Sequence, residues 1–131
     1  MNWKKMYYQK NSYFTNKKQE YNKSLYDSKF EAGYAAELDL RLKAKQIKGW
    51  ERQIKIPLDV NGYHITNYYI DFVVYHLDGI TEYVEAKGYM TEVWKMKWKI
   101  FEALYSEKPD VKLTIVQQGK FRVPKARKIK N

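Results

Sequence analysis

The pattern of apolar and polar positions along the chain predicts six elements. From about Ser28 to Lys48, Tyr34, Ala35, Leu38 and Leu42 recur at helical spacing, with Glu31 on the same face. Ser28 followed by Glu31 reads as a capping box, and Gly49 as a stop. From Gln53 to Val60 the period changes to two, with Ile54 and Ile56 alternating with polar partners, until Asn61-Gly62 turns the chain. A second strand is predicted from Asn67 to His76, a turn around Asp78-Gly79, and a return strand from Thr81 to Lys87. Thr91 is placed to cap a helix from about Glu92 to Ser106, whose inward stripe reads as Val93, Met96, Ile100 and Leu104 with Phe101 beside it. Pro109-Asp110 breaks that helix, and Val111 to Val116 is a last strand. The order α-β-β-β-α-β predicts an α/β fold with a mixed sheet flanked by helices. Its strand–helix–strand crossover predicts a parallel final pair with right-handed connection.

The ends of the chain are less patterned. Residues 1–15 show no sustained periodicity and are expected to be mobile. Gln19-Glu20-Tyr21, Asn22-Lys23-Ser24 and Leu25-Tyr26 suggest a small hairpin. The organisation expected is a basic aromatic tail (1–15), one folded domain (16–118) and a basic C-terminal tail (119–131).

Composition narrows the chemistry. A chain of 131 residues with 44% hydrophobic content supports one modest core. There is no cysteine and there are only two histidines, so thiolate zinc sites are excluded and an imidazole zinc site is not expected. The N-terminus leads into no apolar signal region, and no apolar run reaches membrane-spanning length. A soluble, cytoplasmic protein without membrane partners is the expectation. The formal charge is +10, and all of the surplus sits at the ends: six lysines against two acids in 1–27, six Lys/Arg and no acid in 119–131. Such ends suit capture of a polyanion, most often nucleic acid; the alternative is a pair of solvated tails. Trp3, Tyr7, Tyr8, Tyr13 and Phe14, interleaved with the N-terminal lysines, favour the polyanion because aromatic rings stack on bases.

The central strands carry the candidate chemistry. Asp71 is followed fourteen residues later by Glu85-Ala86-Lys87. Alternation puts Glu85 and Lys87 on one face. A two-residue loop at Asp78-Gly79 would set Asp71 opposite Ala86. A three-residue loop, Leu77-Asp78-Gly79 with Gly79 left-handed, sets it opposite Glu85. The three-residue form is the register that makes a site. Two carboxylates about 5 Å apart repel unless a proton or cation lies between them. Mg²⁺ accepts such hard oxygen donors, including a backbone carbonyl such as that of Ala86, and would activate a water. Lys87 would orient that water or neutralise developing charge. The alternative, a surface hairpin with cross-strand charges, strains for Asp71, whose neighbours read as a buried central strand. Two helical acids are candidates beside the pair. Glu31 faces the body, either toward the metal or as half of the capping box; Glu37 lies off the apolar stripe and can pair with Arg41.

These residues resemble a known superfamily. Asp71, then Glu85-Ala86-Lys87, after a helix bearing a glutamate, is similar to the PD-(D/E)XK nucleases. Tyr26-Asp27-Ser28-Lys29-Phe30-Glu31-Ala32, Ile47-Lys48-Gly49-Trp50-Glu51-Arg52-Gln53 and Tyr83-Val84-Glu85-Ala86-Lys87-Gly88 resemble a small bacteriophage and prophage group within it. The likeness runs from about Asn16 to Val116, with Ile70 where the motif name has proline. It implies a metal-dependent nuclease in a bacterial host cell, with Mg²⁺ (Mn²⁺ substituting) on Asp71, Glu85 and the Ala86 carbonyl. Glu31 is then the helical acid, acting directly or through water, and Lys87 the catalytic lysine. Branched DNA, as in Holliday-junction resolution, and a homodimer are the expected partners, with no further small-molecule cofactor. A sequence-specific or transposase-partner nuclease and a non-catalytic DNA-binding protein are the alternatives. Candidate DNA contacts are Gln53, Tyr89, Thr91, Lys95, Lys97, Trp98 and Lys99, and in the tail Lys120, Arg122, Lys125, Arg127 and Lys128.

Overall fold

Between Asn22 and Phe30 the chain has neither proline nor glycine, and nothing there stops a helix from propagating once it has nucleated. In the computed structural model, which describes residues 22–87, 90–117 and 124–130 with side chains from residue 29 onward, α1 accordingly runs Asn22–Lys43. This corrects two expectations. Asn22 to Tyr26 belong to a helix rather than a hairpin, and Ser28 lies inside the helix rather than at its cap. The remainder of that hairpin, and residues 1–15, fall outside the described residues.

The helix also closes earlier than Lys48. Lys45 takes a left-handed φ of 59°, the Gln46 N–H donates to the Arg41 carbonyl at 2.9 Å, and the Lys45 N–H donates to that of Leu42 at 3.0 Å. This is a Schellman closure with lysine in the place glycine usually takes. Gly49, expected as the stop, is buried and opens the first strand instead.

Strands β1 (Gly49–Val60) and β2 (Tyr63–Tyr75) form a long antiparallel hairpin. Asn61 and Gly62, with φ of 53° and 81°, make its two-residue turn, as an Asn-Gly pair between apolar runs should. Each strand starts four residues before its expected position. In β2 the reason is a bulge: Leu58 pairs with Thr66 but Asp59 with His64, so Ile65 is an extra residue that spoils the alternation.

β2 continues through the Leu77-Asp78-Gly79 loop into β3 (Thr81–Lys87). The His76 N–H donates to the Ile80 carbonyl at 2.9 Å, and Gly79 has φ 91°, so the loop is the three-residue form. α2 (Glu92–Tyr105) then crosses over to β4 (Val111–Gln117), which is parallel to β3. The element order is α-β-β-β-α-β, and the mixed sheet runs β1-β2-β3-β4.

Two apolar clusters cover the sheet. α1 contributes Ala35 and Leu38 to one, with Ile47, Trp50, Phe72, Val74, Val84 and Ala86. α2 contributes Trp94, Trp98 and Phe101 to the other, with Ile56, Leu58, Tyr68, Ile70 and Val73. The expected stripe of α2 holds only in its second half: Ile100 and Leu104 pack against this cluster and Phe101 is buried in it, but Val93 is 65% and Met96 66% exposed. Trp94, Trp98 and Phe101 recur at the same helical spacing, and large rings bury more area than Val or Met, so the helix turns them inward. Trp98 thereby leaves the set of expected phosphate contacts, being 2% exposed within the aromatic cluster.

Both hairpin strands change face at one level. In β1, Trp50 packs with the α1 cluster while Ile54, Ile56 and Leu58 pack with the α2 cluster, although all four have even numbers. In β2, Phe72 and Val74 pack with the first cluster, and Tyr68 and Ile70 with the second. Regular pleating cannot do this. The switch falls at Gln53 and Asp71, which lie opposite each other between the pairs Arg52–Phe72 and Ile54–Ile70. Among the described residues, no helix is long and apolar enough to cross a membrane.

Candidate active site

The β2–β3 ladder ends at the pair Phe72–Val84. Beyond it the strands' exposed backbone donors are taken by side chains. The Ala86 N–H donates to Asp71 Oδ2 at 2.9 Å, and the Asp71 N–H donates to Glu85 Oε1 at 3.3 Å. Each carboxylate thus satisfies a main-chain group across the gap, and the two face each other where the pairing stops. The three-residue loop determines this meeting, since a one-residue change of register would turn Glu85 to the other face.

Both carboxyls are buried, Asp71 to 8% and Glu85 to 1% exposure. Burial raises the pKa of Asp71 above its ordinary range, while Lys87, the Ala86 N–H, a hydrogen bond to Glu85 and Arg52 all pull the other way. Burial, followed by the charge of Asp71, pushes Glu85 well above the ordinary range, against the pull of Lys87 and a hydrogen bond from Tyr68. A proton shared between the two is the expected metal-free state, because like charges this close cannot both ionise cheaply.

Lys87 closes the constellation. Its Nζ lies 3.5 Å from Glu85 Oε2 and 4.8 Å from the centre of the Trp94 ring, with its side chain 19% exposed. Trp94 is held there because the Thr91 hydroxyl accepts from the Trp94 N–H at 3.0 Å, capping α2 as expected. The Trp94 indole in turn donates to the Tyr68 hydroxyl at 3.2 Å, and Tyr68 is hydrogen-bonded to Glu85. The start of α2 and the end of β3 are thereby tied to one carboxylate.

Glu31 is buried as expected, but the acid has another occupation. Arg52 Nη2 lies 3.4 Å from Glu31 Oε2, both side chains being almost fully buried. Among the described residues no three His, Cys, Asp or Glu side chains gather as a metal cluster. Glu31 offsets the charge of Arg52, which in turn acts on Asp71. Glu37 pairs with Arg41 at 2.8 Å on the exposed face.

The donor set of the pair, two carboxylates and backbone carbonyls, is the hard-oxygen chemistry that Mg²⁺ prefers. Burial, which raises the pKa of both acids, makes their ionised forms costly unless positive charge is brought to them. The residues therefore fit a divalent cation, with Asp71 and Glu85 as its protein ligands.

The remaining predicted contacts are dispersed. Gln53 is exposed on β1 opposite Asp71. Lys95 pairs with Glu92 at 3.1 Å, and Lys99 is exposed on the outer face of α2. Lys97 is half-buried. Lys125 and Arg127 are exposed, while Lys128 pairs with Glu107 at 2.8 Å and the Ala126 N–H donates to Glu102 at 2.7 Å, which straps segment 124–130 along α2. Tyr89, Lys120 and Arg122 lie outside the described residues.

Two site residues escaped the sequence reading. Arg52 was passed over because β1 was started at Gln53; its even-number spacing from Trp50 was the available signal. Tyr68 falls within the predicted second strand with no role assigned to it, yet a buried tyrosine needs a partner for its hydroxyl.

The chain is thus an α/β protein of this order, with paired carboxylates and a lysine at the parting of its two central strands. The chain belongs to the family described as Protein of unknown function (DUF1064), which matches residues 11–123. No curated protein and no solved structure matches it.

Proposed function

We propose that this protein is a metal-dependent DNA endonuclease, selective for branched DNA and acting as a homodimer on two strands. The observation that carries the reading is the buried pair Asp71–Glu85 with Lys87 beside it, at the point where β2 and β3 separate. A structural ion pair does not need two buried acids facing each other beside one lysine, and perturbed acids of this kind cluster at functional sites.

Asp71 and Glu85 would hold a divalent cation, which would supply positive charge at the scissile phosphate and acidify a water. The protein residues do the rest. Asp71 and Glu85 shed their shared proton and hold their oxygens in place through the Ala86 N–H and the Tyr68 hydroxyl. Lys87, steered by the Trp94 ring, presents its ammonium to the attacking water or a phosphate oxygen and offsets developing negative charge. The water oxygen forms one P–O bond, the opposite P–O bond breaks, the departing oxygen takes a proton from solvent, and the water's proton passes to bulk. Arg52, paired with Glu31, adds positive charge that favours the ionised form of Asp71. The basic ends bring in the polyanion.

The test is a matched panel of labelled duplex, single strand, flap and four-way junction, with Mg²⁺ or Mn²⁺. The expected result is paired symmetric cuts in the junction, abolished by Lys87→Ala while binding survives. Binding to every substrate without any cutting would overturn the enzymatic reading and leave a DNA-binding protein.

A further inference from the structure

Three non-glycine residues of the described chain have left-handed backbone: Lys45, Asn61 and Gln53. Two have local reasons. Lys45 closes α1, and Asn61 makes the two-residue hairpin turn. Gln53 has neither. It lies in the middle of a twelve-residue strand with φ 53°. Glutamine has none of the short-side-chain affinity for this region that asparagine has, so the conformation is strained.

The place of the strain is specific. Gln53 stands level with Asp71, between the pairs Arg52–Phe72 and Ile54–Ile70, where both strands change face. The Gln53 side chain is nevertheless exposed, not packed into either cluster. Glycine would make the same face switch without strain. What glycine would lose is the carboxamide, and within the protein that carboxamide has no apolar role to repay the strained backbone. Strained residues of this kind concentrate at ligand contacts.

We propose that Gln53 is a substrate-contacting residue, its backbone turned so that the side-chain carboxamide stands beside the carboxylate pair and donates to a phosphodiester oxygen of bound nucleic acid. The inference rests on the nucleic-acid reading above and adds to it the group that positions the backbone next to Asp71. A carboxamide suits this position. It offers two N–H donors yet adds no positive charge, so it can orient a phosphate without competing with a cation held by Asp71 and Glu85. Being neutral, it also releases no counterion, and its removal should leave the salt dependence of binding alone.

The experiment compares wild type, Gln53→Gly and Gln53→Glu for thermal stability, for binding of labelled junction DNA in EDTA across a salt series, and for cutting with Mg²⁺. Gln53→Gly is expected to keep or raise Tm, weaken binding about ten-fold, the loss of one hydrogen bond to a charged oxygen, and slow cutting at least as much. The slope of log K against log salt should not change. Gln53→Glu should bind more weakly still, since it sets a carboxylate against the phosphate. Binding and cutting by Gln53→Gly equal to wild type would overturn the proposal, as would a Tm lowered by several degrees, which would make Gln53 structural. If wild type never cuts but Gln53→Gly still weakens binding, Gln53 stands as a nucleic-acid contact and the hydrolytic reading falls. If wild type does not bind DNA at all, both fall.

Discussion

At the scale of single residues, Asp71 and Glu85 hold the account together, and their protonation sets a clear expectation. Burial raises both pKa values in the folded chain above the ordinary 3.8 and 4.5. A carboxyl whose folded pKa is raised gives stability that is whole below the unfolded value and is lost as pH rises through the folded one. Without metal, the protein should therefore lose stability on going from about pH 4 toward pH 8. Asp71→Asn removes one charge from the pair and should flatten that decline, raising Tm at pH 7–8 in EDTA while abolishing cutting. Mn²⁺ should raise the Tm of wild type at that pH and leave Asp71→Asn unmoved, since a ligand stabilises only the state that binds it. Thermal denaturation from pH 4 to 8, with and without Mn²⁺, checks all three; a Tm in EDTA that rises with pH in parallel for both proteins would contradict the buried-pair reading. Glu82 offers the opposite sign. Burial pushes its carboxyl up, but hydrogen bonds from Thr114 and His76 and the charge of Lys112 outweigh burial and leave it below the ordinary value, so its contribution is lost only as pH falls through that lowered value. The meeting of Asp71 with Glu85 was legible only in part: Asp78-Gly79 suits a two-residue loop as well as a three-residue one, and the three-residue register was favoured because it makes a site; the structure has that register, with Gly79 left-handed. The pairing of Glu31 with Arg52 was not legible, because it depends on how α1 lies across β1, a tertiary fact that no spacing along the chain encodes.

At the scale of elements, α2 is the most instructive. Its ends, its Thr91 cap and the inward Ile100, Leu104 and Phe101 were readable from local chemistry, but its first turns were assigned to Val93 and Met96 when Trp94 and Trp98 carry the buried face there. Two apolar stripes lay side by side on this helix, and periodicity alone cannot choose between them; the sheet's aromatic Tyr68 and Tyr83, which meet Phe101 at ring separations of 5.2 and 5.3 Å, made the choice. Trp98→Ala should therefore cost about 3–5 kcal/mol, whereas Met96→Ala should fall within about 0.5 kcal/mol of wild type. Urea unfolding distinguishes them, and comparable costs would mean that the helix face is wrongly placed. The face switch at Gln53 and Asp71 was illegible for a related reason. Alternation was followed only from Gln53 onward, so Trp50 and Arg52 dropped out of the strand.

At the scale of the whole molecule, charge distribution outweighs shape. The centre of the chain is neutral and the ends carry the +10. Lys125 and Arg127 stand exposed on the segment strapped to α2, the helix whose first turn carries Trp94 beneath Lys87. Lys125→Gln with Arg127→Gln should weaken DNA binding alike on every substrate and reduce the salt slope by up to about 2, since each neutralised phosphate contributes about 0.9. Fluorescence anisotropy across a salt series reads this directly, and an unchanged slope would remove the segment from the DNA surface. The mixed sheet and its α-β-β-β-α-β order were visible from the alternation of periods and the turn residues, because those signals are local.

The measurement closest to the central claim is the single-turnover rate of phosphodiester cleavage in a labelled four-way junction, with enzyme in excess, for wild type and Lys87→Ala, in Mg²⁺ and in EDTA. The account predicts a Mg²⁺-dependent rate for wild type that falls by about a hundred- to a thousand-fold without the lysine, while both proteins bind the junction alike. Equal rates for the two proteins, or no cleavage by wild type despite tight binding, would contradict it.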